Sequence, residues 1–204
     1  MPMILVPRRD LFRFALAALV LVPALEARAD TSDAGGFVRG VVSRGLAILA
    51  DPNARQADRE RAFRSLFEQS FDVARISRFV LGRYWRIASD EEKVQFTHIY
   101  SAFVGRNLAV QLHQYAGETV KITGVRPEGD VTMVATTMVR PNSEAPAKVN
   151  WRVGQGPAGF KIVDVDVEGV SMLLSQRQEF ASIIQHNGGT VAGLTRAIHQ
   201  KLGG

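Results

Sequence analysis

The chain has 204 residues, no cysteine and a formal net charge of +5, with a sequence pI of about 10.0. The lack of cysteine excludes disulfide bridges, so the fold has to be stabilised by a packed core. The basic residues form no stripe with interleaved aromatic side chains, which argues against nucleic-acid binding. The sequence also shows no internal repeat, heptad run or low-complexity segment.

Residues 1–29 have the layout of an export signal. Arg8, Arg9 and Arg13 precede an apolar run over residues 14–25, and small residues suited to cleavage follow it. The run is shorter than the ~20 residues needed to span a bilayer, so we expect a cleaved signal peptide. The pair Arg8-Arg9 also resembles a twin-arginine signal, which leaves the export route open between Sec and Tat.

The mature chain is expected to begin near Asp30 and to form a single domain over residues 30–204. Removal of residues 1–29 leaves 21 basic and 18 acidic residues. The remaining excess of about three positive charges would favour only weak attraction to anionic membrane surfaces or acidic partners.

Four helices are predicted in the N-terminal half. After a polar lead-in that ends at residues 35–36, apolar side chains at helical spacing predict helices over residues 37–51 and 53–71. Asp72 is a suitable N-cap for a third helix that ends near Gly82.

The fourth and longest helix is predicted from a capping box formed by Ser89 and Glu92. It is expected to run to about Tyr115, with Gly117 as its stop signal. One side of it carries a broad apolar stripe, which by itself predicts ordinary core: Phe96, Tyr100, Phe103, Val104, Leu108, Leu112 and Tyr115.

The C-terminal half changes to a period of two residues. Strands are predicted over residues 119–125, 131–140, 147–153 and 160–167, and their short connections predict an antiparallel meander. Two helices then follow, over residues 172–186 and 191–202, separated by Gly188 and Gly189. The fold class is therefore α+β, with helices packed over one face of a curved four-stranded, mainly antiparallel sheet.

The alternation in the strands assigns residues to the two faces of the sheet. The third strand places Ala147, Val149, Trp151 and Val153 on one face, and Lys148, Asn150 and Arg152 on the other. The first of these faces is so apolar that helices or a ligand have to cover it. The second strand is apolar on both faces, with Met133 on one and Val134 and Met138 on the other. The acidic row on the fourth strand is most simply solvent-exposed: Asp164, Asp166 and Glu168.

The segment 164–180 predicts a strand, a tight turn at Gly169 and a helix capped by Ser171. Together with residues 80–85, 150–152 and 193–194, in that order along the chain, it resembles the MlaC family, also called the toluene-tolerance auxiliary transport family. The resemblance covers roughly residues 37–202.

The resemblance implies a periplasmic lipid carrier rather than an enzyme, without a cofactor. No metal site is expected either, because the four histidines lack a paired-ligand spacing such as H-x-x-x-H. The space between helices and sheet would be a lipid cavity, and the ligand would be a phospholipid. The implied partners are an inner-membrane ABC lipid transporter with a ring-forming substrate-binding subunit and an outer-membrane lipoprotein complex. The carrier would act as a monomer and support outer-membrane lipid asymmetry.

The same resemblance turns the apolar stripes into candidates for cavity lining. Flexible methionine side chains suit variable acyl chains. The candidate cavity residues are Val80, Tyr84, Trp85, Tyr100, Phe103, Val104, Leu108, Leu112, Val134, Met138, Val149, Trp151, Val153, Val170 and Met172. Arg83 and Arg152, with Arg86 as a further candidate, could contact the phosphate of the headgroup, although the simpler interpretation of each is a solvated or ion-paired surface arginine.

Three alternatives stay open from the sequence. The same fold could carry a hopanoid or another polycyclic lipid. A small cone-shaped α+β enzyme would need an ionisable group inside the apolar face, and the strongest apolar stripes contain none. A protein-binding adaptor would place a helix or strand of its partner in the groove instead of a lipid.

Overall fold

The computed structural model describes residues 31–51, 53–111, 119–139 and 146–203. The predicted signal peptide, Leu112, and the predicted end of the long helix at Tyr115 and Gly117 therefore lie outside the described residues. The helices are α1 (Thr31–Ala50), α2 (Gln56–Ser70), α3 (Val73–Leu81), α4 (Asp90–Gln111), α5 (Met172–His186) and α6 (Val191–Gly203), with a 3-10 helix (Gly82–Arg86) between α3 and α4.

The strands form one antiparallel sheet in sequence order, which confirms the predicted α+β meander. They are β1 (Thr119–Glu128), β2 (Val131–Val139), β3 (Ala147–Gly156), β4 (Gly159–Val167) and β5 (Val170–Ser171). The two-residue β5 was not predicted. It forms because Glu168 and Gly169 both adopt positive φ, 52° and 84°, in the two-residue turn that pairs Val167 with Val170.

Local capping signals define the helix ends as predicted. The Asp72 carboxylate accepts a hydrogen bond from the Arg75 backbone N–H at 3.0 Å. Helix α3 ends at Leu81, and its C-cap is Gly82, whose φ is 55°. Ser89 and Glu92 form the reciprocal capping box, with distances of 2.9 Å and 3.2 Å. These bonds satisfy N–H groups that have no partner within the first helical turn.

The predicted start of α1 was wrong, because the helix begins at Thr31 and includes Gly35 and Gly36. A Cβ atom on Gly35 would lie 3.3 Å from Val125 Cγ2, so the glycine lets the helix pack closely on β1. Helix propensity disfavours glycine, but tertiary contact with the sheet overrides it here.

The apolar interior contains two clusters. The helical cluster lies among α2 to α6 and is rich in rings, including Phe67, Phe96, Tyr100 and Phe180. The sheet cluster joins α1 to the sheet through Ala34, Val38, Val41, Val134, Val153 and Ile162. Phe71, which follows α2, packs against both clusters and links them.

None of the helices in the described part of the chain is both long and apolar enough to cross a membrane.

Candidate functional site

The register of the sheet gathers apolar side chains from four strands on one face. Val134 on β2 pairs with Val125 on β1 and with Trp151 on β3, and Trp151 pairs in turn with Val165 on β4. Paired residues share a face, so this row crosses the four strands β1 to β4. The predicted alternation on the second and third strands is confirmed.

Helix α1 covers only part of this apolar face. Its residues Ala34, Val38 and Val41 are buried against Val134 and Val153. Burying a valine side chain such as Val38 or Val41 stabilises the fold by roughly 1.5–3 kcal/mol relative to exposure, and the single methyl group of Ala34 contributes less. This half of the face is therefore ordinary core.

The other half of the apolar face, here called the open half, consists of Val120, Met138, Ala147, Val149 and Val167. Val120 pairs with Met138, Met138 with Ala147, and Val149 with Val167, so the five form one patch. None of them belongs to the cluster under α1. Val149 is buried, three are half-buried, and Val167 is 37% exposed.

Two polar groups at the centre of the face satisfy each other. The Trp151 indole N–H donates to Thr136 Oγ1 at 3.0 Å, and the Thr136 hydroxyl donates to the Val149 carbonyl at 2.9 Å. The pairing fixes the indole orientation and leaves no uncompensated polar atom of Thr136 in the apolar surface.

The opposite face of the sheet is charged. Arg152 donates from Nε to Glu128 at 3.0 Å and from Nη1 to Asp164 at 3.1 Å. The hydrogen bond to Glu128 is the main cause that raises the pKa of Arg152. Because this headgroup candidate already binds two carboxylates and lies across the sheet from Trp151, it is less available for a phosphate than Arg83.

The expectation that the acidic row on β4 is simply exposed was wrong for two of its members. Asp166 is buried and accepts from the Gly169 backbone N–H at 2.9 Å. Asp164 accepts hydrogen bonds from Ser171, Leu173, Val165 and Arg152. The row forms the strand-to-helix corner, and only Glu168 is exposed.

The helical cluster contains most of the predicted stripe of α4. The Tyr100 ring stacks on Phe96, with centroids 5.6 Å apart, and meets Phe180 edge to face at 5.8 Å. Its hydroxyl donates to Gln176 Oε1. Burial, and secondarily the negative charge of Asp164, raises the pKa of Tyr100 well above its ordinary value.

The predicted cavity residues thus fall into three groups. The helical cluster contains Val80, Tyr84, Tyr100 and Phe103, with Trp85 and Val104 packed against it. The apolar sheet face contains Val134, Met138, Val149, Trp151 and Val153. Val170 and Met172 are exposed at the corner between β5 and α5, Leu108 is half-buried, and Leu112 lies outside the described residues.

A cluster of arginines was not predicted from the sequence as a single site. The cluster, here called the arginine pocket, surrounds a surface cavity of about 550 Å³ and comprises Arg75, Arg78, Arg83, Arg86 and Arg177. The i, i+3 spacing within the pairs 75/78 and 83/86 was the available signal. The contribution of Arg177 depends on the packing of α5 beside α3.

A metal centre finds no support in the part of the chain that the structure describes, where no group of three or more histidine or acidic side chains could hold an ion. Ser171 acts as the N-cap of α5, accepting from the Leu174 backbone N–H at 3.2 Å, which accounts for its position after the tight turn.

Comparison with known proteins places this arrangement in a family. A solved structure of the phospholipid-binding protein from Ralstonia solanacearum, in complex with a phospholipid, has the same fold. It matches with a TM-score of 0.71 at 24% identity and covers 82% of this chain and 95% of that chain.

A curated relative from Haemophilus influenzae, the intermembrane phospholipid transport system binding protein MlaC, is 25% identical over 113 residues. The matched part spans 53% of each protein, so about half of the relative's length is covered. The family model described as MlaC protein matches residues 39–200, nearly the whole described chain. The chain belongs to the MlaC family.

Proposed function

We propose that this protein is a periplasmic carrier that binds a phospholipid and shuttles it between membrane complexes without a catalytic step. The observation that carries the proposal is the open half of the apolar sheet face, which α1 leaves uncovered beside the core. Membership of the MlaC family and the phospholipid bound to the Ralstonia solanacearum protein support the same ligand class.

The energetics of acyl chains explain why a carrier needs such a surface. Each CH₂ group exposed to water costs ~0.8 kcal/mol, so two chains with roughly 30 carbons in total would cost on the order of 25 kcal/mol. A flat patch shields only one side of a chain. The lipid would therefore lie against the open half, with Met138 and Val167 contacting its chains, and would be enclosed from the other side as well.

The headgroup would stay at the edge of the site and make few contacts. Arg83 is exposed, and its guanidinium donates to the Tyr84 hydroxyl at 2.9 Å without an acidic partner among the described residues. Few headgroup contacts would give tolerance among phospholipids. Under this proposal, the cavity residues predicted from the sequence remain candidates for contact with the lipid.

The transport cycle we propose uses two partners. The carrier would exchange lipid with an outer-membrane lipoprotein complex and with an inner-membrane ABC transporter that has a ring-forming substrate-binding subunit. Such exchange would support the lipid asymmetry of the outer membrane. A carrier transfers lipid only in the direction set by the difference in lipid affinity between its partners. The energy for net transport would therefore come from the transporter.

Native mass spectrometry tests the ligand directly. The protein is recovered in soluble form from a periplasmic extract without detergent, and the bound molecule is identified after organic extraction. We expect a complex with one phospholipid. A hopanoid mass would change the ligand class to polycyclic lipids, and a ligand-free protein that also fails to take up lipid from vesicles would refute the carrier proposal.

A further inference from the structure

The arginine pocket concentrates positive charge where three elements meet. Arg75 and Arg78 come from α3, Arg83 and Arg86 from the 3-10 helix, and Arg177 from α5. Among the described residues that line the cavity, none is acidic. The local charge is far larger than the small excess of the whole chain would suggest.

Little of this charge is neutralised by the residues that the structure describes. Arg75 pairs with the exposed Asp130 at 3.2 Å, whereas the other four arginines have no acidic partner among the described residues. Arg177 instead lies over the ring of Phe79, 5.0 Å from its centroid. The guanidinium groups without an acidic partner repel one another, and this repulsion favours binding of an external anion.

The backbone also accommodates the cluster. Gly82 has a φ of 55°, and a Cβ atom at that position would lie 3.0 Å from the Arg177 guanidinium. The glycine therefore lets Arg177 lie against the start of the 3-10 helix. A larger residue there would be strained and would displace this side chain.

Two exposed apolar side chains lie close to the pocket along the chain or across Trp85. Ile87, directly after Arg86, is 73% exposed, and Val94 is 70% exposed. Trp85 connects them to the arginines, because it lines both the arginine pocket and the neighbouring cavity that Val94 lines. Arginines beside exposed aliphatic and indole groups form the combination that suits the boundary between lipid headgroups and acyl chains.

We propose that the arginine pocket and these two apolar side chains are a docking site for an anionic lipid bilayer surface. The guanidinium groups bind headgroup phosphates, which match their planar donor geometry, while Ile87 and Val94 enter the interfacial layer. Charge complementarity selects anionic lipids, and the two apolar side chains distinguish a bilayer from a soluble anion. Arg83, the headgroup candidate of the proposed carrier, belongs to this pocket, but none of the pocket residues lies on the apolar sheet face. Docking at the pocket therefore does not require a bound phospholipid.

Vesicle co-sedimentation tests the proposal. The protein from a periplasmic extract is mixed with phosphatidylcholine vesicles, with or without about one quarter phosphatidylglycerol, in about 0.1 M salt. We expect at least about tenfold tighter binding to the anionic vesicles, falling steeply with added salt. The double variant Arg78→Gln/Arg86→Gln should lose about fivefold per arginine.

A matched variant controls for net charge. Arg39→Gln/Arg196→Gln removes the same charge from exposed positions on α1 and α6 and should change binding by less than about threefold. Ile87→Ser should weaken binding to anionic vesicles while leaving the salt dependence intact. All variants share one N-terminus, so differences between them report on the pocket.

Three results would overturn the proposal. They are equal affinity for neutral and anionic vesicles, equal losses in the pocket variant and the control variant, and full competition by millimolar inorganic phosphate without vesicle selectivity. Lipid retained after purification is measured on the same samples. A protein that carries no lipid yet binds anionic vesicles through the pocket would refute carriage and leave the docking site standing.

Discussion

Asp164 connects the sheet to the helix that follows it. Its carboxylate accepts from the Ser171 hydroxyl at 2.7 Å, from Arg152 at 3.1 Å and from the backbone N–H groups of Val165 and Leu173. The residue therefore fixes both the charged face of the sheet and the first turn of α5.

We predict that Asp164→Asn destabilises the protein by about 2–3 kcal/mol, because an amide loses the charge and cannot accept all four bonds. Urea unfolding followed by circular dichroism measures the change. Asp130→Asn is the control, since that side chain is 79% exposed and should change stability by less than about 0.5 kcal/mol. Equal effects of the two substitutions would contradict this role for Asp164.

Tyr100 gives a prediction about alkaline pH. Its pKa is raised by burial and by Asp164, so the folded state keeps the phenol protonated where the unfolded chain loses the proton. Its contribution to stability is complete below the ordinary tyrosine pKa of about 10 and is lost as the pH rises above that value.

Tyr100→Phe should accordingly cost about 1–2 kcal/mol at neutral pH, where the bond to Gln176 is lost. The same variant should lose less stability than the wild type between about pH 9.5 and 11. Urea midpoints across this range provide the measurement. If the urea midpoints of the two proteins fell in parallel as the pH rises, ionisation of Tyr100 would not be the cause of the loss of stability at alkaline pH.

At the scale of elements, α2 and α4 cross at a glycine. A Cβ atom on Gly105 would lie 2.8 Å from both Arg64 Cβ and the Glu60 carbonyl oxygen. We predict that Gly105→Ala destabilises the protein by about 1–3 kcal/mol, because the helices would have to separate. Thermal unfolding is the measurement.

Gly40→Ala is the matched control within α1, where a new Cβ would have no atom within 4 Å. It should stabilise the protein by up to about 1 kcal/mol through helix propensity alone. Opposite signs for the two substitutions are therefore expected. A stabilising Gly105→Ala would show that the two helices are not in close contact at this position.

Elements with local signals could be predicted from the sequence, and those set by distant contacts could not. The caps at Asp72, Ser89 and Ser171 depend on residues within three positions, and strand alternation depends on immediate neighbours. The start of α1 depends instead on the contact between Gly35 and Val125, which only the folded chain brings together. The 3-10 helix and β5 are too short to give a periodic signal.

The site was partly predictable for the same reason. Period two placed Val134 and Met138 on one face of the second strand and Val149 on one face of the third, and the register shows that these two faces coincide. The sequence could not show that α1 covers only half of that face, or that Tyr84 and Tyr100 pack in a separate helical cluster. Arg177 joins Arg75 only through the packing of α5 beside α3, so the arginine pocket was also beyond prediction.

In the whole molecule, the parts that stabilise the fold differ from the parts proposed to bind ligands. The ring-rich helical cluster and the cluster under α1 hold the scaffold together, and under the proposed function the open half of the sheet face would bind the acyl chains. The arginine pocket lies on α3, the 3-10 helix and α5. A membrane contact there would leave the apolar face of the sheet free for its lipid.

The central claim is that phospholipid binds on the open half of the sheet, and a pair of adjacent substitutions tests it most directly. Met138→Glu places a carboxylate on that face, whereas Val139→Glu places the same group on the opposite face, at a residue that is 38% exposed. A charge cannot be buried against acyl chains without a large cost, so only the first substitution should prevent binding.

Lipid per protein is measured by native mass spectrometry on detergent-free samples whose folding is checked by circular dichroism. Val167→Glu, on the same face as Met138, serves as a second variant if Met138→Glu does not fold. We predict that Met138→Glu or Val167→Glu loses the bound phospholipid and that Val139→Glu retains it. Full lipid occupancy in folded protein carrying glutamate at position 138 or 167 would contradict the account.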